Sequence, residues 1–182
     1  MKQVFLLLLV FSLVSCGSPE PRRPVKVKSG SFNASVLRSK KLLALEESMM
    51  NTIMAKDSLR KYEHSAAGAW YYYVQKNEAA TYTPQSDDLV TLTYNVMSFS
   101  NDTIYSGEEI GILKYKVDKQ ELFPGLRNSI KLLKEMETAT FLFPSSLAYG
   151  YHGDNNKIGI NVPIKSTITL LKIEKQQDSV QN

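Results

Sequence analysis

Cysteine occurs once in the 182 residues, at Cys16, and histidine twice, at His64 and His152. A single thiol closes no internal disulfide, and one thiol with two distant imidazoles does not make a Cys/His zinc site, so a structural metal is not expected. No run of 18 apolar residues is present, which excludes a membrane-spanning helix of ordinary length. The patterns GxSxG, HExxH, GxGxxG and the P-loop are all missing, and with them the commonest routes to acyl transfer, metalloproteolysis and nucleotide binding. Asp154 to Gly159 begins like a calcium loop, but its fifth position is Ile158 and its twelfth is Lys165 where a bidentate Glu is required, so it reads as a plain turn. His64 at a helix end and His152 in a loop read as surface or capping groups. With 43% apolar and 22% charged residues the chain has the composition of a globular protein of about one domain.

What is there begins with a secretory pattern. Lys2 precedes the apolar run Val4 to Val14, which is followed by Ser15-Cys16-Gly17. As a helix that run would be about 16 Å long against a hydrocarbon core of about 30 Å, so it is expected to be removed as a signal peptide, residues 1–15. Leu13-Val14-Ser15-Cys16 resembles a bacterial lipobox. The expectation is that Cys16 is lipidated and becomes the new N-terminus, anchoring the chain to a membrane through two or more acyl chains. Gly17 stands where an inner-membrane retention Asp would, so the outer membrane, facing the periplasm, is the expected location.

The charge is uneven. Residues 17–41 carry net +6, Lys2 leaves with the signal, and residues 42–182 are left with net −3. The basic character therefore belongs to residues 17–41, which take in a tether, residues 16–34, made stiff by Pro19, Pro21 and Pro24, and not to a nucleic-acid-binding surface. No nucleic-acid partner is expected.

From Ser35 to Ser65 there is neither proline nor glycine, and Leu42, Leu45, Met49 and Ile53 recur at helical spacing with Leu43, Met50 and Met54 beside them. The spacing predicts an amphipathic helix over 35–65, ending near Gly68, within an N-terminal segment 35–67. Its methionines are open to three readings: core, a dimer seam, or an adaptable surface for client proteins. After Gly68 the texture becomes β-prone. Strands are expected at 69–74, 89–94, 112–118, 138–143 and 166–174, with a short helix opened by Pro124-Gly125 that places Leu126, Ile130 and Leu133 on one side. The result is an α+β fold: an antiparallel sheet of about five strands wrapped on a short helix, a half-barrel, preceded by a long amphipathic helix. Residues 176–182 form a polar tail.

Ten Tyr and seven Phe are enough to line an apolar pocket in such a sheet. Phe141-Leu142-Phe143-Pro144, Ala148-Tyr149-Gly150 and Val162-Pro163-Ile164 leading into Thr167-Ile168 resemble, in order, the carboxy-terminal signature of FKBP-type peptidyl-prolyl isomerases. Val90 to Tyr94, Asn101 to Tyr105 and Lys119 to Leu126 resemble the upstream blocks of the same family, and the likeness extends over residues 68–175. With the lipobox and the helix before Gly68, the chain is similar to the gliding-motility peptidyl-prolyl isomerase lipoproteins of Bacteroidetes.

The resemblance implies roles residue by residue. Tyr94 and Tyr115 would be pocket walls, with Leu122 beside them and Leu126 as floor. The Phe123 backbone N–H and the Tyr149 hydroxyl would donate to substrate carbonyls, Ile104 and Tyr105 would stand at the turn, and Val162 and Leu170 would close the site. Tyr94, Phe123 and Tyr149 would then carry the catalysis, with no cofactor. Four positions depart from the family pattern: Leu126 stands for Trp, Ile104-Tyr105 for Phe-Asp, and Leu170 for an aromatic residue. Two functions follow as expectations. One is a lipid-anchored isomerase for proline-containing exported or surface polypeptides. The other is a non-catalytic chaperone or assembly module of the same fold for motility or secretion machinery. Related periplasmic isomerases with a helical N-terminal region dimerise through it, which implies a homodimer through helix 35–65.

Overall fold

The computed structural model describes residues 29–176, with side chains from residue 33. The expected signal peptide, the lipidation site Cys16, the tether as far as residue 28 and the tail from 177 lie outside the described residues. Among the described residues, no helix is long and apolar enough to cross a membrane.

Helix α1 spans Ser29–Lys56. Residues 29–34 are therefore helical and not tether, because the last helix-breaking proline is five positions earlier, at Pro24. At its other end the helix stops nine residues short of the expected limit. Asp57 accepts from the Arg60 guanidinium at 2.9 Å and from the Tyr62 hydroxyl at 3.1 Å, closing a turn. The chain then enters a hairpin: β1, Glu63–His64, pairs antiparallel with β2, Trp70–Gln75. Gly68, at φ +97°, makes the turn, and Ser65 ties it through its backbone and hydroxyl to Ala69. Segment 57–65 carries helix-compatible residues, but pairing with the aromatic strand β2 outweighs that weak local preference.

The five expected strands all form. They are β2, β3 (Leu89–Tyr94), β6 (Leu113–Lys116), β7 (Thr138–Phe143) and β8 (Ile164–Glu174). Three short ones join them: β1, β4 (Val96–Met97) and β5 (Thr103–Tyr105). The eight strands make one sheet of order β1-β2-β7-β8-β3-β6, antiparallel throughout, with β4 pairing β5 and the start of β8. Strands of two or three residues are too short to show a period, which is why the count of about five falls low.

The two faces of the sheet differ in character, with Leu142 fully buried on the threonine face and Ser166 on the apolar one. On β7 and β8, Thr138 hydrogen-bonds Thr169 at 3.0 Å and Thr140 bonds Thr167 at 2.8 Å, forming a polar ladder on one face. The other face sends Ala139, Phe141, Phe143, Ile164, Ile168 and Leu170 inward, all fully buried, with Val90 and Leu92 of β3 and Tyr115 of β6. Against this face lies helix α3, Pro124–Ile130; the single-turn helix α2 spans Gly107–Ile110. Leu126, Ile130 and Leu133 are each 0% exposed, as their spacing predicts. Pro124 opens α3 at its first position, where its missing N–H is not needed. Gly125 lets the helix approach: a Cβ there would lie 2.6 Å from the Phe143 ring and 2.8 Å from the Leu147 carbonyl oxygen.

Helix α1 packs through a narrower stripe than its composition suggests. Glu46 and Met50 are buried and Leu42, Ile53 and Met54 half-buried, whereas Leu43, Leu45 and Met49 are 41%, 61% and 41% exposed.

Candidate functional site

Four elements converge at one end of the sheet. Tyr94 is the last residue of β3, Phe123 is the N-cap of α3, Phe143 ends β7, and Tyr149 follows a 3-10 turn at Ser145–Leu147. The Phe123 ring is the hub. Its centroid lies 6.2 Å from that of Tyr94 and 5.7 Å from that of Phe143, both edge-to-face, and 5.2 Å from that of Tyr149 in a tilted arrangement. These separations are those at which ring quadrupoles attract. Phe143 is fully buried, while Tyr94, Phe123 and Tyr149 are half-buried, so the cluster is rooted in the core and open on one side.

Two donors in this cluster are unspent among the described residues. The Phe123 carbonyl accepts from Arg127 at 3.2 Å, but its N–H has no backbone acceptor. The Tyr149 phenol is pushed well above its ordinary range, first by burial and then by the nearby Tyr94, Asp154 and Tyr105 oxygens, with no hydrogen bond contributing. Burial alone raises Tyr94 in the same direction. Both phenols therefore stay neutral and able to donate over the physiological range.

The other residues singled out in the sequence fall into two groups. Ile104, Tyr105, Leu122 and Val162 are half-buried around the rim of the same core. Tyr115, Leu126 and Leu170 are 1%, 0% and 0% exposed and lie within the core itself, so they reach the site only through the side chains they support. Tyr115 also fixes the chain beyond β6, its hydroxyl accepting from the Asp118 N–H at 3.3 Å.

Sequence reasoning missed Asp154. The loop that reads as a plain turn is a turn, with Asp154 Oδ1 accepting from the Asn156 and Ile158 amides at 2.9 and 2.8 Å. Its Oδ2 also accepts a short hydrogen bond from the Tyr105 hydroxyl. Burial raises the Asp154 carboxyl, but the Tyr105 hydroxyl and the two amides outweigh it and hold it below its ordinary range. A carboxylate therefore stands beside the aromatic cluster although Tyr105 occupies the position of the family's Asp. Lys157 closes the rim, its ammonium 4.6 Å from the centre of the Tyr105 ring and 2.6 Å from Glu109. The one signal for Asp154 in the sequence is its place five residues after Tyr149. His152 is exposed, and His64 is exposed and lies against Trp70 with ring centroids 4.6 Å apart.

The arrangement suits noncovalent work on a peptide: an apolar cradle, two directed donors, and no nucleophile paired with a base. Comparison with known proteins agrees with that chemistry. The family model for FKBP-type peptidyl-prolyl cis-trans isomerases matches residues 80–171, half of the chain, and spans every residue of the aromatic cluster. Among curated proteins, a probable FKBP-type peptidyl-prolyl cis-trans isomerase FkpA of Neisseria meningitidis is 29% identical over 127 residues; the match covers 70% of this chain and 44% of that protein's length. Among solved structures, a peptidyl-prolyl cis-trans isomerase from Pseudomonas syringae superposes with a TM-score of 0.61 at 17% identity, covering 75% of this chain and 96% of that one. FkpA from Escherichia coli gives 0.58 at 19% identity, covering 96% of this chain and 82% of that one. The N-terminal domain of FKBP42 from Arabidopsis thaliana gives 0.56 at 14% identity, covering 63% of this chain and 93% of that one. The sheet wrapped on α3, the aromatic cluster at its end and the matching model lead to one conclusion: the chain belongs to the FKBP-type peptidyl-prolyl cis-trans isomerase family.

Proposed function

We propose that this protein is a peptidyl-prolyl cis-trans isomerase of the cell envelope, lipid-anchored through Cys16, acting on proline-containing exported or surface polypeptides. One observation carries the catalytic part: the Tyr94–Phe123–Tyr149 cluster presents an apolar surface flanked by two donors that have no acceptor among the described residues. Rotation about an X-Pro amide meets a barrier of about 18–20 kcal/mol because resonance stiffens the C–N bond. No bond need be broken to lower it. A site that binds the twisted amide better than the planar one gains about tenfold in rate for each 1.36 kcal/mol of preference. The aromatic rings hold the proline ring and exclude water, while the Phe123 N–H and the Tyr149 hydroxyl take the carbonyls on either side.

Lipidation at Cys16 is supported by the lipobox, and placement in the outer membrane by Gly17. A role in gliding motility is proposed on the lipobox and the helix before Gly68 alone, the features that resemble the motility isomerase lipoproteins. The exposed Leu45 and Met49 of α1, together with a cleft lined by Leu43, Met50, His64, Trp70 and Leu147, favour a second reading. In it, the same fold serves as a non-catalytic chaperone or assembly module, or pairs with a second copy through α1.

The deciding experiment is the isomerisation rate of a short Xaa-Pro peptide with the purified full chain, set against Tyr149→Ala. A rate well above the spontaneous one, lost in the variant, supports the enzyme and its site together. A background rate from folded protein removes the catalytic reading and leaves the chaperone.

A further inference from the structure

Helix α1 lies outside the segment that the isomerase family model matches, yet one of its side chains bonds to the turn that leads to Tyr149. Glu46 occupies the middle of the buried stripe of α1, between Leu42 and Met50, and is itself 2% exposed. Its Oε2 accepts from the backbone N–H of Ser145 at 3.0 Å, and its Oε1 is buried with no partner among the described residues. A carboxylate is costly to bury, so the stripe gives up stability relative to an apolar residue of the same shape.

The bond is placed where it governs the site. Ser145 opens the 3-10 turn, and the residue before it, Pro144, makes no side-chain cap. Glu46 supplies that cap from another part of the chain. The Ser145 carbonyl in turn accepts from the Ala148 N–H at 3.1 Å and from the Gly150 N–H at 2.9 Å, the two residues that flank Tyr149. Hydrogen bonds on the two sides of one residue, Ser145, thus link the N-terminal helix to both neighbours of the Tyr149 donor.

We infer that Glu46 is a positioning residue: through Ser145 it sets the conformation of the Ala148-Tyr149-Gly150 segment, so that the N-terminal helix is part of the active-site support and not only a spacer to the membrane. The inference rests on the isomerase reading for its kinetic consequence, but not for its structural one. Donors that are fixed before the substrate arrives contribute most to the transition state, and a misplaced group loses rate more than binding.

The test uses the full chain with Glu46→Leu, Glu46→Gln and Ser145→Pro, read by amide hydrogen exchange and by isomerase kinetics. Ser145→Pro removes the same donor from the other partner at a first-turn position that accepts proline, so it decides the matter should Glu46→Leu fail to fold. The expected result is faster exchange at Ala148 and Gly150 in Glu46→Leu and Ser145→Pro, with β7 and β8 amides still protected. Kinetically, kcat falls about tenfold with KM little changed. Glu46→Gln, which keeps an acceptor oxygen, stays close to wild type in both readouts. Unchanged exchange at Ala148 and Gly150, a uniform rise over the whole sheet, or equal damage from Gln and Leu would each overturn the inference. A wild-type chain without isomerase activity would refute the functional reading alone, and the exchange pattern would still decide the positioning role.

Discussion

The Tyr105 hydroxyl donates to the carboxylate of Asp154, joining β5 to the loop that follows Tyr149. Asp154 also holds the Asn156 and Ile158 amides, so the contact between the two residues ties the rim of the aromatic cluster together. Tyr105→Phe removes the bond to Asp154 and a longer one that the hydroxyl accepts from the Lys157 amide at 3.4 Å; Asp154→Ala removes the bond from Tyr105 and both amide bonds that hold the turn. Isomerase kinetics should therefore order the variants wild type, Tyr105→Phe, Asp154→Ala in falling kcat/KM, with Tyr105→Phe down only a few-fold. Equal activity in all three would show that the rim does not shape the site.

Gly125 has no room for a side chain. A methyl group would overlap the Phe143 ring and the Leu147 carbonyl, both part of the packed interior on which Phe123 rests. Gly125→Ala should cost about 2 kcal/mol, typical of overpacking, and lower the thermal midpoint. Because the displaced ring is a neighbour of Phe123, the same variant should lose isomerase activity at temperatures where it is still folded. Calorimetry paired with the peptide assay measures both.

The strands and α3 were legible because burial on one face writes a period into the sequence: Leu126, Ile130 and Leu133 at helical spacing, and Phe141 and Phe143 two apart, all reach full burial. Tyr94, Phe123 and Tyr149 were legible through family blocks whose spacing is held by the fold. What was not legible depends on partners distant in the chain. The end of α1 is decided by pairing between Glu63-His64 and Trp70-Tyr71. Asp154 gains its role from Tyr105, and Glu46 from Ser145, neither of which leaves a local pattern. A charged residue in the apolar stripe of α1 was the one visible irregularity, and Leu45 and Met49 stand exposed along the edge of that stripe.

Asp88 links both ends of the domain, and its charge should make stability sensitive to acid. Its carboxylate accepts from the Tyr82 hydroxyl at 2.7 Å and from the Gln85 and Gln176 amides at 2.8 and 2.9 Å. Burial raises its carboxyl, but these bonds and the nearby Lys175 prevail and hold it below the ordinary value. A carboxylate depressed in the folded state contributes stability that is complete above the unfolded value, about 3.9, and is lost as pH falls through the folded one. Wild type should therefore be more stable than Asp88→Asn by about 2 kcal/mol at neutral pH. The gap should close below about pH 4. Urea unfolding at several pH values checks it, and a constant gap would assign the contribution to shape and not to charge.

Isomerase activity should be nearly independent of pH. Tyr149 acts in its neutral form as a donor, and burial with its oxygen neighbours raises it above the usual phenol range, so alkali does not remove the donor below about pH 9. Asp154 is held on the other side of neutrality, ionised down through the ordinary carboxylate range by Tyr105 and two amides. Both histidines are exposed and lie outside the aromatic cluster. Between roughly pH 5 and 9, then, neither Tyr149 nor Asp154 changes its charge. The rate measured at constant ionic strength should be flat across that window, and Tyr149→Phe, which keeps the ring and loses the hydroxyl, should lower kcat at every pH by a similar factor. A break near pH 6.5, the ordinary range of imidazole, would bring a histidine into the site and overturn the purely noncovalent account. A flat profile with Tyr149→Phe fully active would instead leave the Phe123 N–H as the donor that matters.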